Sequence, residues 1–140
     1  MIALTRGAPV GVDVEGPVPP ERAAKVARRF FGGEEARLVD PSAFLRAWAA
    51  REAVAKALGL PLHRILASTR VEPDPAKPLT LLAAPPGAPP PHEWTLHELA
   101  LTAGRETVVV AVPRPGAYVT TASAYCAARP RSAAPSARSR

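Results

Sequence analysis

The chain has 140 residues, 47% of them hydrophobic, which is enough to bury the core of a single domain. Its net charge is +6, but four of its 18 basic residues are arginines in the last twelve positions, so the remainder is only slightly basic. No aromatic residue accompanies those four arginines to stack on bases. The composition therefore argues against a nucleic-acid-binding protein.

A single cysteine, Cys126, excludes an intramolecular disulfide and favours a reducing compartment. No apolar run approaches the length of a membrane span, and the first residues lack the pattern of a secretion signal. We therefore expect a cytoplasmic protein. Residues 1–126 are predicted to form one domain, whereas the Ser, Ala, Pro and Arg composition of residues 127–140 predicts a disordered basic tail.

The N-terminal part of the chain predicts strand followed by helix. Residues 1–15 read as two strand pieces separated by a turn at Gly7 and Pro9. Apolar residues then recur at helical spacing in 19–31, and a short helix is predicted at 34–39.

The longest predicted helix spans residues 41–60 and is rich in alanine. Ser42 or Asp40 can cap its N-terminus, and Gly59 followed by Pro61 should end it.

Five strands are predicted after this helix, at 68–72, 79–84, 93–102, 106–113 and 117–125. The run TVVVAV within the fourth of these is continuously apolar and should be fully buried. The order of elements predicts the α+β class, with a small, mostly antiparallel sheet packed against a long central helix and shorter helices.

The strand GVDVE, residues 11–15, contains two carboxylates one residue apart. Side chains alternate between the two faces of a strand, so Asp13 and Glu15 should share one face and Val12 and Val14 the other. We expect the valines to pack on the core and the acids to form a close pair on the opposite face. Taken alone, the pattern also fits an exposed strand face near a loop.

The long helix carries a third carboxylate among its large apolar side chains. At the helical repeat, Glu52 falls between Leu45 and Trp48, about 20° and 40° away from them. Lys56 follows one turn later, so a surface Glu–Lys pair is one interpretation. A carboxylate held beside Trp48, however, needs a cation, a proton or a metal ion.

Together, Asp13, Glu15 and Glu52 would form an oxygen-rich site suited to Mg²⁺, which completes its coordination with waters and substrate phosphates. Lys56, with Arg51 beside Glu52, would neutralise further phosphate charge. The three histidines fit no zinc pattern and receive no role: His63, His92 and His97.

Three ordered motifs resemble a known family: VGVDVE at 10–15, FFGGEEARLV at 30–39 and FLRAWAAREAVAKALGL at 44–60. They are similar to the G-[IV]-D-[IV]-E strand, the F-F-x-x-E-E segment and the W-x-x-[KR]-E-A-x-x-K helix of 4′-phosphopantetheinyl transferases of the surfactin-synthetase-activating type. The resemblance covers the C-terminal half of such proteins and implies the fold of that half.

The resemblance implies Mg²⁺-dependent transfer of the 4′-phosphopantetheine group from coenzyme A to a serine of an acyl or peptidyl carrier protein, as in fatty acid, polyketide or nonribosomal peptide biosynthesis. Asp13, Glu15 and Glu52 match the Mg²⁺-binding acids, and Glu52 also matches the proposed general base. Lys56 matches a lysine that contacts the coenzyme A phosphates, and Arg51 stands where many members have lysine.

Typical members of this type have two similar halves with coenzyme A bound between them, whereas little of this chain precedes the GVDVE strand. We expect the other wall of the site to come from a second copy of the chain, as in the short, trimeric holo-acyl-carrier-protein synthases, or from a separate N-terminal half. The alternatives are a truncated product with little activity and a non-catalytic module that binds a carrier protein or coenzyme A.

Overall fold

The computed structural model describes residues 1, 3–37, 40–99 and 106–120. Its elements confirm the α+β class, and no helix in these ranges is long and apolar enough to cross a membrane. In chain order, the helices and strands are β1 (Gly11–Glu15), α1 (Pro20–Phe30), α2 (Pro41–Leu58), β2 (Arg70–Val71), β3 (Leu81–Ala83), β4 (Thr95–Leu99) and β5 (Thr107–Val112), with short 3₁₀ turns at Gly33–Arg37, Leu62–Arg64 and Pro91–Glu93.

Three local predictions differ from the structure. Residues 3–5 are irregular, so the strand piece predicted before Gly7 is wrong, and the helix predicted at 34–39 is the 3₁₀ turn Gly33–Arg37. Residues 117–120 are irregular as well. The rest of the strand predicted at 117–125, like Cys126 and the predicted tail 127–140, lies outside the described residues.

The main sheet has three antiparallel strands in the order β1-β5-β4, so β5 is its central strand. Five of the six residues of β5 are buried, as its apolar run predicts. A second antiparallel pair is formed by β2 and β3. The predicted, mostly antiparallel sheet is therefore divided into a three-stranded and a two-stranded part.

Helix α2 is the central element and packs on β1 and β5. Of the two predicted caps, Asp40 is the one used, because its carboxylate accepts hydrogen bonds from the Ser42 and Ala43 amides. The helix ends at Gly59, whose φ of 65° lies in the left-handed region. All alanines of α2 are buried, so neighbouring backbones can approach the helix closely on several sides.

An aromatic cluster joins α1 to α2. Phe30 and Phe31, at the end of α1, pack against Phe44 and Trp48 of α2, with ring centroids 5.7 to 6.3 Å apart. The cluster fixes α1 along one side of α2.

Strand β1 lies against the backbone of α2 at Gly11. A Cβ atom placed on Gly11 would fall well inside van der Waals contact with the Ala53 carbonyl oxygen and 2.6 Å from the Ala57 nitrogen. The face of β1 that carries Gly11 therefore points toward the helix, and strand alternation brings Asp13 and Glu15 onto that same face.

The expected orientation of β1 is thus wrong. Val12 is only partly buried and Val14 is 40% exposed, whereas Asp13 is only 6% exposed. The valines face away from α2 because only the side of the strand with a glycine can approach the helix backbone so closely.

We expect Gly11→Ala to lower the free energy of unfolding by about 3 kcal/mol, because the new methyl group must push β1 away from α2. Denaturant unfolding followed by circular dichroism measures the change. Gly16→Ala is the matched control, since a Cβ atom at that position meets nothing within 4 Å. Equal stability of Gly11→Ala and Gly16→Ala would show that the close approach of strand and helix is not tight.

Candidate functional site

Asp13 is the most buried acid of the site. Its Oδ1 accepts a hydrogen bond from the Lys56 ammonium at 2.6 Å, and the two groups form an ion pair between β1 and α2. Its other carboxylate oxygen, Oδ2, is buried and has no hydrogen-bond partner. An unpartnered buried carboxylate oxygen is costly, so Asp13 has the capacity to bind a further cation.

Glu15 and Glu52 are partly buried at the same edge of the α2–β1 contact. Burial is the main cause that raises the pKa of each carboxyl, and the charge of Asp13 raises both further. Glu52 also raises the pKa of Glu15, while Lys56 opposes the rise in both acids. The structure therefore brings the three predicted acids and Lys56 close enough to act on each other's charge.

A cleft of about 510 Å³ opens beside these acids, between α1, α2 and the segment after β1. Glu15 and Glu52 line it, and Arg22 adds a cation. The rest of its lining is mainly apolar and comes from Val18, Val26, Phe44, Leu45 and Trp48. As predicted, Glu52 lies beside Trp48 and Leu45.

The side chains present have the chemistry that Mg²⁺ prefers, since all three acids offer hard carboxylate oxygens and Asp13 has one to spare. Within the described ranges, however, no three Asp, Glu, His or Cys side chains are already arranged around one point as a metal site. At Asp13, the ammonium of Lys56 occupies one carboxylate oxygen. The donor atoms of the site thus suit a divalent ion. The ion would bind Asp13 either beside Lys56 or in its place.

Arg51 lies in the core instead of the cleft. It is 0% exposed; its guanidinium contacts Glu35 at 2.7 Å, the Ala47 carbonyl at 2.9 Å and the face of the Phe31 ring. Burial lowers the pKa of Arg51, and the ion pair with Glu35 opposes that change. The expectation that Arg51 contacts phosphate finds no support in this geometry.

Glu35 has a role that the sequence reasoning missed. Its carboxylate bridges Arg51 and the Val71 amide, and so ties the 3₁₀ turn to both α2 and β2. The signal was present in the FFGGEEARLV motif, but nothing in the sequence shows that Glu35 turns inward.

Arg46 was missed as well. Its guanidinium donates to the carbonyl oxygens of Glu72, Asp74 and Lys77 at 2.7 to 2.9 Å and pairs with Glu98 of β4. Arg46 therefore anchors the connection between β2 and β3 to the main body. An arginine among buried alanines and aromatics was the available signal.

The histidines do not join the site. The ring Nε2 of His97 lies 2.7 Å from the Ala117 carbonyl oxygen, and His63 and His92 are exposed.

Fold and site together suit a class of enzymes that act on phosphate groups: two carboxylates line the cleft, and a third acid that interacts with both is paired with a lysine. The family model of the 4′-phosphopantetheinyl transferase superfamily matches residues 9–113, which is 105 of the 140 residues and includes every strand and helix from β1 to β5. The chain belongs to this superfamily, and this membership supports a transferase of the phosphopantetheinyl kind. A comparison with curated proteins found no match.

The raised pKa values of Glu15 and Glu52 imply that the stability of the fold depends on pH. Protonation of these acids favours the folded state, so their contribution is fully present below the ordinary carboxyl pKa and is lost as the pH rises through the raised values. We expect metal-free Glu52→Gln to gain stability over the wild type at pH 8 and not at pH 4. Because both acids are partly exposed, the gain should stay below about 1 kcal/mol.

Thermal unfolding in the presence of a chelator measures this difference. Glu106→Gln, at an exposed position outside the cleft, is the control and should show no gain that depends on pH. A Glu52→Gln variant less stable than the wild type at pH 8 would contradict the unfavourable interaction among the acids.

Proposed function

We propose that this chain transfers 4′-phosphopantetheine from coenzyme A to a serine of an acyl or peptidyl carrier protein, with Mg²⁺ held by Asp13, Glu15 and Glu52. The observation that supports it most strongly is the convergence of these acids with Lys56 beside one cleft, within a domain of this superfamily. The order of the three motifs further supports the surfactin-synthetase-activating type.

The chemistry requires charge neutralisation more than covalent assistance from the protein. A bound Mg²⁺ would polarise the phosphate oxygens and offset the charge that develops on the leaving group. The unpartnered Oδ2 of Asp13 offers one ligand atom to the ion. Lys56, whose side chain is about half exposed, would bind a coenzyme phosphate.

Glu52 would act as the general base. It lines the cleft, so its carboxylate can face a serine that enters there, directly or through a water. The serine oxygen of the carrier forms a bond to the phosphorus that bears pantetheine, the bond from that phosphorus to the adenosine 3′,5′-bisphosphate portion breaks, and Glu52 accepts the serine proton.

The cleft suits the pantetheine arm. Its volume of about 510 Å³ lies within the range of about 300–1,000 Å³ of small-molecule sites, and most of its lining besides the two acids and Arg22 is apolar. Its lining contributes one cation, Arg22, whereas coenzyme A carries several phosphate charges. A second copy of the chain, or a separate N-terminal half, would supply further cations on the facing wall.

The deciding experiment is mass spectrometry of an apo carrier protein incubated with the chain, coenzyme A and Mg²⁺. We expect a mass gain of one phosphopantetheine group, with a rate reduced about a hundredfold or more in Asp13→Asn and Glu52→Gln because each loses a metal-binding charge. Glu106→Gln is the control and should retain the wild-type rate. Binding of the carrier without any mass gain would indicate a non-catalytic binding module instead.

Helix α1 presents a surface for the carrier protein. Its exposed side carries four cations within an arc of about 120°, namely Arg22, Lys25, Arg28 and Arg29, against one exposed acid, Glu21. Arg22 lies at the cleft itself, so a negatively charged carrier surface docked on α1 would present its serine near Glu52.

We expect Lys25→Glu/Arg28→Glu to lower kcat/KM for the carrier about tenfold, mostly through KM, because the exchange repels an acidic partner without touching the cleft. The loss should shrink at high salt, where exposed charges are screened. The control Arg64→Glu/Arg70→Glu makes the same change in net charge at exposed positions outside α1. An equal loss in both variants would assign the effect to overall charge and not to α1.

A further inference from the structure

Among the described residues, the ammonium of Lys56 makes two hydrogen bonds, and both are with strand β1. Its ammonium lies 2.6 Å from Oδ1 of Asp13 and donates to the Val12 carbonyl oxygen at 3.2 Å. The Asp13 side chain is 8% exposed, whereas that of Lys56 is 49% exposed. The acid is therefore fixed in place, and the base is free to leave it through solvent.

The ammonium and a divalent ion compete for the same carboxylate. Asp13 is the acid whose charge raises the pKa of both other acids, so any ion that binds all three must approach it. A lysine at 2.6 Å neutralises part of that charge and covers one of its two oxygens. Binding of the ion is then opposed by electrostatic repulsion from Lys56 as well as by loss of the ion pair.

We propose that Lys56 exchanges partners: it holds Asp13 when the site contains no ligand, and it is released to the substrate phosphates when a divalent ion takes its place at Asp13. The phosphate half of this exchange rests on the proposed function. Lys56 thus couples binding of the divalent ion to binding of the substrate phosphates. The ion releases the ammonium to the phosphates, and the phosphates draw away the ammonium that repels the ion, so by linkage the coupling is reciprocal.

The other cations near the site cannot exchange Asp13 for a phosphate in this way. Arg51 is fixed in the core by Glu35 and Phe31. Arg22 lines the cleft but forms no ion pair with Asp13, whose salt bridge is made by Lys56. The flexible four-carbon stem of lysine allows the ammonium to move between two nearby anions, which a fixed guanidinium cannot do.

The first test is calorimetric titration of the full chain with Mg²⁺ alone. We expect Lys56→Met and Lys56→Gln to lower the dissociation constant about tenfold, because each removes the competing charge. Lys56→Arg keeps the charge and should remain near the wild type. Arg22→Met removes a charge on the same cleft that is not bonded to Asp13, and it should tighten binding much less.

Circular dichroism confirms that each variant is folded, and Lys56→Gln, which retains a donor for Asp13, serves if Lys56→Met does not fold. Unchanged or weaker Mg²⁺ binding in the folded Lys56 variants would overturn the exchange. An equal gain in Mg²⁺ affinity in Arg22→Met would overturn the exchange too, because the gain would then follow from the loss of any positive charge near the site.

The second test measures coenzyme A binding in a chelator. Asp13→Asn should bind coenzyme A about threefold to tenfold more tightly than the wild type because it releases Lys56, and the gain should vanish in Asp13→Asn/Lys56→Met. No gain in Asp13→Asn would overturn the release of Lys56 to phosphate.

These tests separate the exchange from the proposed function. Transfer by the wild type without tighter Mg²⁺ binding in the Lys56 variants would overturn the exchange and leave the function standing. Tighter Mg²⁺ binding in those variants, with no transfer to any apo carrier, would support the competition at Asp13 and overturn the function.

Discussion

The close packing of β1 on the backbone of α2 at Gly11 is the constraint on which the site depends. Only a glycine permits this approach, so the orientation of the whole strand is set by one residue. Strand alternation then carries Asp13 and Glu15 to the helix side, where α2 presents Glu52 and Lys56 one turn apart. The acids are brought together by a packing requirement of the backbone and not by attraction among themselves, since their charges repel.

Helix α2 is buried on most sides and still carries three cations, at positions 46, 51 and 56. A spacing of five residues turns each cation about 140° from the last, so the three point in different directions. Arg46 and Arg51 point into protein, where a charge without partners would be costly. Arg46 is held by Glu98 and backbone carbonyl oxygens, and Arg51 is held by Glu35 and the Ala47 carbonyl oxygen, although the buried Nε of Arg51 has no hydrogen-bond partner. Only Lys56 emerges partly into solvent, which is why two of the cations support the fold and the third is available to the site.

The site is maintained at a cost to stability. Glu15 and Glu52 have raised pKa values because they are partly buried beside Asp13, and an oxygen of Asp13 is left without a partner. The repulsion within such a cluster is reduced by protons, by a lysine or by a metal ion. Functional sites are commonly less stable than a packed alternative would be, and this edge of the domain has that character.

The sequence by itself determined the features that depend on neighbours along the chain. These include α2 with its Gly59 end, the buried strand β5, the α+β class, and the motifs of the superfamily. For the N-terminal cap of α2 the sequence left both Ser42 and Asp40 open, and the structure uses Asp40. The sequence also identified the three acids and Lys56 as candidates, because their strand and helix periodicities are local. Only the tertiary structure decided which face of β1 meets the helix, that Arg51 is held inside by Glu35, and that Lys56 pairs with Asp13. Those outcomes depend on which elements face each other, and no local pattern encodes the close approach at Gly11 or the partner that a buried charge finds across the core.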